Sequence, residues 1–90
     1  MRGLVEGTMM VEAQIEAGMP LAGRPLREAK LPQESLVVSI RRDNEWLFPR
    51  GSTVIEPGDL VTFLVSPTGE ERLQQYLAER EKQEATMLVD

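Results

Sequence analysis

Apolar and polar residues alternate one for one near the start of the chain. Val11, Ala13, Ile15 and Ala17 are separated by Glu12, Gln14 and Glu16. A period of two predicts a half-buried strand, ended by Gly18, Met19 and Pro20. The pattern then loosens. Pro25 suits the first turn of a helix, where its missing N–H costs nothing. Pro32 stops that helix by Leu31, so it has two turns at most, with Leu21, Leu26 and Leu31 as its anchors in the core. The β-branched run from Leu36 to Ile40 predicts a strand, with Leu36, Val38 and Ile40 on one face and Val37, Ser39 and Arg41 on the other. A polar turn over Arg42, Asp43, Asn44 and Glu45 joins it to a short strand of Trp46, Leu47 and Phe48, a hairpin pattern.

Pro49, Gly51 and Ser52 break that hairpin. Pro57 and Gly58 then occupy the centre of a type II turn, where glycine supplies positive φ. Residues 60–65 are apolar on both faces, which predicts a central strand covered on both sides. Thr68 and Glu71 have capping-box spacing. The helix they open carries Leu73, Tyr76 and Leu77 on one stripe, with Arg72, Gln75, Glu79 and Lys82 elsewhere, and is expected to fray near Gln83. Residues 1–8 read as a flexible lead-in, 9–83 as one domain, and 84–90 as a tail. In that tail Met87, Leu88 and Val89 either add an edge strand or, the favoured reading, stay disordered. The whole is an α+β fold: a small mixed or antiparallel sheet, a short helix after the first strand, and a C-terminal helix packed on the sheet.

Composition narrows the chemistry. With no histidine there is no imidazole shuttle, Ser-His-Asp triad or ordinary zinc cage; with no cysteine there is no disulfide, thiolate nucleophile or iron–sulfur site. No cofactor or metal is expected. The net charge of −5 repels a phosphate backbone, so no nucleic-acid partner is expected. The longest charge-free apolar stretch, 60–69, is about half of what a membrane-spanning helix needs. At 90 residues the chain is at most one domain.

The cationic side chains are the sharpest local feature. Arg41, Arg42 and Arg50 clamp a carboxylate or phosphate if the hairpin brings them together. Their structural alternative is pairing with Glu45, Glu56 or Asp59. Arg24 and Arg27, with Lys30, form a second basic group at the short helix, with the same two readings. Glu56 and Asp59, and Glu70 and Glu71, are pairs of carboxylates, but none has EF-hand spacing; the first pair fits turn stabilisation and the second a helix N-terminus. Trp46 faces either the core or a dimer contact, and Val37 is a similar candidate for that contact.

Three blocks then stand out together. Residues 21–28 (LAGRPLRE), Leu31-Pro32 followed by LVVSIRR at 36–42, and PRGSTVIEPGD at 49–59 resemble, in order and spacing, the TrkA-C domain, also called the C-terminal RCK domain. The resemblance covers about residues 9–67. It implies a cytoplasmic regulatory domain at the inner face of the membrane, non-enzymatic and homodimeric. Its implied partner is the membrane-embedded part of a potassium or cation channel, transporter or antiporter, or of a chloride channel, of which the chain would be one piece. Some members bind a small anionic or nucleotide ligand near the dimer axis. For cyclic di-AMP the pattern is not matched: Lys30, Pro32 and Leu36 stand where those members resemble one another in Asp, Arg and Asn. Arg24, Arg27, Arg41, Arg42 and Arg50 are the candidate ligand residues, and Val37 and Trp46 the candidate dimer contacts. The alternatives are a stand-alone protein-interaction module using the last helix, and a small carboxylate-based enzyme.

Overall fold

The computed structural model describes residues 7–81. Four strands, β1 (Met9–Gln14), β2 (Ser35–Arg42), β3 (Glu45–Leu47) and β4 (Leu60–Val65), form one sheet in the order β1-β4-β2-β3, antiparallel at every step. A single 3₁₀ turn, Leu26–Glu28, follows β1, within the two-turn limit, and α1 (Glu70–Ala78) is the last described element. Residues 82–90, including Gln83 and the expected tail, lie outside the described residues.

β4 is central because its inward residues are wholly apolar. Val61, Phe63 and Val65 are at most 1% exposed and pack with Ile15, Leu21, Ile40, Ile55 and Leu73. Each such side chain contributes roughly 1.5–3 kcal/mol by leaving water. The outward residues Leu60, Thr62 and Leu64 are only half-buried, so the expected second cover is not found among the described residues. The layer opposite the sheet comes from the 15–31 segment, Ile55 and α1.

In β2 the expected alternation fails at one point. Val37 pairs with Phe63 and Ser39 with Thr62, leaving Val38 as a β-bulge. The extra residue resets the pleat, so Val37 and Ile40 both turn inward (7% and 0% exposed) and Leu36 turns out at 52%. Asp43 and Asn44 take positive φ, 54° and 65°, as a two-residue hairpin turn requires. Gly58 has φ 97°, as its type II position predicts.

The last helix begins and ends differently from its sequence signals. Ser66, not Thr68, caps a 3₁₀ turn, Pro67–Gly69, that leads into α1, accepting from the Gly69 N–H at 3.2 Å. Thr68 instead donates to the Glu34 carboxylate at 2.5 Å, and Ser66 donates to the same oxygen. These bonds hold Glu34 below the usual carboxylate range. At the far end α1 stops at Ala78, where Glu79 turns to extended backbone. Arg80 covers the Leu77 and Glu79 carbonyls, and the Glu81 N–H donates to the Gly18 carbonyl at 2.5 Å. The chain is thereby strapped across the loop after β1.

Candidate functional site: an open sheet face and an arginine-lined depression

Residues directly opposite in an antiparallel sheet share a face, so the register defines the open surface row by row. Met10, Leu64 and Leu36 form one apolar row; Glu12, Thr62 and Ser39 a polar one; Gln14, Leu60, Arg41 and Trp46 a mixed one. Met10, Leu36 and Trp46 are each more than half exposed, as is Phe48 just after β3. Leu36 and Leu64 also line a hollow of about 400 Å³ at the end of the first row. Large apolar side chains gathered on one uncovered face are a mark of an interaction surface.

The candidate arginines separate into different environments. Arg42 ends β2 facing the buried Asp59, which is 1% exposed. Its Nε and one terminal nitrogen bind the two carboxylate oxygens at 2.8 Å each, and the same nitrogen donates to the Val54 carbonyl at 2.9 Å. Glu56 lies 3.9 Å from the other terminal nitrogen. Burial alone would raise the Asp59 pKa, but the Arg42 hydrogen bonds and the Glu56 N–H (2.9 Å) hold it below its ordinary value. Arg42 is therefore committed to joining β2, the 56–59 turn and the segment at Val54. Arg41 points to the open face, its guanidinium 4.6 Å from the centre of the Trp46 ring, a cation–π contact. Arg24 is tied to Glu81 at 3.1 Å.

Arg27 and Arg50 remain uncommitted, with no ion pair or side-chain hydrogen bond among the described residues. Backbone pairing brings them together: the Arg27 N–H donates to the Gly51 carbonyl at 2.9 Å, and Leu26 N–H to that of Thr53 at 2.9 Å. The two line one depression of about 310 Å³ with Leu31, Leu36 and Val37. Val37, expected on the outward surface, instead lies in the wall of this depression. Leu36 joins the depression to the open face, a role its sequence did not reveal because the bulge that turns it outward has no composition signature. Among the described residues no cluster of acidic side chains is placed to hold a metal, and no helix is long and apolar enough to cross a membrane.

Fold and surface define a two-layer α+β domain with one sheet face left open beside a cationic depression. Residues 10–78 match the model of the TrkA-C domain, and the chain belongs to that family. It is 40% identical over 55 residues to a Trk system potassium uptake protein TrkA homolog of Archaeoglobus fulgidus, covering 61% of this chain and 12% of that protein. It is 29% identical over 68 residues to the Trk system potassium uptake protein TrkA of Mycobacterium tuberculosis, covering 76% of this chain and 31% of that one. The chain thus spans only a minor part of these relatives. A solved structure described as "Structure of RCK domain with cda" superposes with a TM-score of 0.65 at 25% identity, covering 76% of this chain and 96% of the other.

Proposed function

We propose that this TrkA-C domain is a non-catalytic, cytosolic regulatory unit of a membrane ion-transport protein, potassium uptake being the first candidate. It pairs with a second copy through the open sheet face and binds a small anion between Arg27 and Arg50. The observation that carries this reading is the adjacency of the two features: Leu36 belongs both to the apolar row and to the arginine-lined depression. An anion bound there touches the edge of the pairing surface. It therefore favours one dimer geometry over another, and differential affinity is the only way a ligand shifts such an equilibrium. Couplings of this kind amount to roughly 1–3 kcal/mol, which the attached membrane part would read as a change in gating.

Within this reading Trp46, with Arg41 stacked on it, belongs to the pairing surface, and Val37 supports the depression from inside. Arg42 contributes by holding β2 in place, and Arg24 lies outside the anion site. The relatives named for potassium uptake and the RCK structure support the assignment. Thermal unfolding of the 90-residue chain against phosphate, mononucleotides and dinucleotides tests the ligand. A ligand at 100 times its dissociation constant adds about 2.7 kcal/mol. The expected result is a rise with at least one anion that Arg27→Gln removes; a melt unmoved by all of them contradicts the anion site.

A further inference from the structure

A second hollow, of about 600 Å³, opens between the segment ahead of β2 and the chain leaving α1, and shares no residue with the Arg27–Arg50 depression. Its two walls carry opposite charge. Arg24 and Lys30 stand on one, Glu79 and Glu81 on the other. Arg80 also borders it, but its guanidinium is occupied by the Leu77 and Glu79 carbonyls and by Glu16 at 2.7 Å. The half-exposed Arg24–Glu81 pair links the walls, while Lys30 and Glu79 have no side-chain partner among the described residues.

Tyr76 lines the same hollow. It is 8% exposed, and its hydroxyl is buried without a hydrogen-bond partner among the described residues. A buried hydroxyl left unpaired is costly. Burial pushes its pKa up, Arg24 opposes that, and Glu79 and Glu81 add to it, so the group is an O–H donor at neutral pH. A donor of this kind waits for an acceptor.

We propose that this hollow binds a small zwitterion of the amino-acid class, its carboxylate toward Arg24, Lys30 and the Tyr76 hydroxyl and its ammonium toward Glu79 and Glu81. A simple anion gains the basic wall but meets two carboxylates across from it. A simple cation meets Arg24 and Lys30. Only a ligand carrying both charges satisfies both walls and the hydroxyl at once. The site is separate from the Arg27–Arg50 depression, so either can fail alone.

Titration calorimetry on the 90-residue chain tests it, with L-serine and L-glutamine as zwitterions and acetate and methylammonium as single-charge probes. At least one zwitterion is expected to bind saturably, at least about tenfold tighter than either single-charge probe. The loss of one charge-assisted hydrogen bond is worth about tenfold, so Tyr76→Phe and Lys30→Gln should each weaken binding by that factor while Arg27→Gln leaves it unchanged. Absence of binding by both zwitterions, acetate binding as tightly as they do, or binding unaltered in both Tyr76→Phe and Lys30→Gln would overturn the proposal.

Discussion

The two faces of β4 meet different surroundings although both carry mainly apolar side chains. Val61, Phe63 and Val65 are sealed under the 15–31 segment and α1, whereas Leu60, Thr62 and Leu64 share an open surface with Met10, Leu36 and Trp46. The sealed face holds the fold; the open face holds apolar area that this fold does not use. The arginines divide in the same way. Arg42 is locked to a buried carboxylate, and Arg27 and Arg50 are left without side-chain partners among the described residues. The open apolar face and the two uncommitted arginines meet at Leu36.

Substitutions on the sealed side should break the comparison most strongly. Phe63→Ala should cost about 3–5 kcal/mol in chemical denaturation, as for other large core deletions. Asp59→Ala leaves Arg42 facing an empty, buried position and should cost about 3–5 kcal/mol by the same measurement. The pH dependence of that contribution has a definite sign. Because the folded pKa of Asp59 lies below its unfolded value, the stabilisation is complete above the unfolded value of about 3.9. It is lost as pH falls through the lower, folded value. Unfolding curves of the wild type and Asp59→Asn should therefore stay separated at neutral pH, begin to approach each other only below about pH 3.9, and meet once the pH is under the folded value.

Neighbouring residues in β2 sharpen the contrast further. Val37→Glu puts a charge into the core and should cost more than about 3 kcal/mol, while Leu36→Glu, one residue away, should stay within about 0.5 kcal/mol when both chains are unfolded at a concentration too low for pairing. Equal effects at both would place the bulge elsewhere. The smallest stability change is expected at the depression: Arg27→Gln and Arg50→Gln should each shift unfolding by no more than about 0.5 kcal/mol. Each should weaken phosphate or nucleotide binding by about tenfold, read by titration calorimetry.

The turns, the strand order along the chain and the central place of β4 were legible because their residues have local causes. Asp43-Asn44 tolerates positive φ, Pro57-Gly58 specifies its turn, and an apolar run with no charge must be central. The bulge at Val38 was not legible: it depends on how β2 seats against β4, and Leu36-Val37-Val38-Ser39-Ile40 is compatible with either pleat. That single residue exchanged the roles of Leu36 and Val37. The helix limits are not legible for a similar reason. Glu34 is distant in sequence and draws Thr68 away from capping, and the strap to Gly18 ends α1 before Glu79. Among the arginines, sequence offered pairing and ligand binding alike; only the buried position of Asp59 separates Arg42 from Arg27 and Arg50.

Sedimentation velocity on the 90-residue chain tests the central claim, that the open face pairs with a second copy, most directly. At about 100 μM, well above a dissociation constant of about 1 μM for an interface of standard size, the wild type should sediment as a dimer. Leu36→Glu should sediment as a folded monomer, its melt matching the wild type's only at about 0.1 μM, where both chains are monomeric. A wild type that stays monomeric at that concentration, or a Leu36→Glu variant as dimeric as the wild type, would contradict the account.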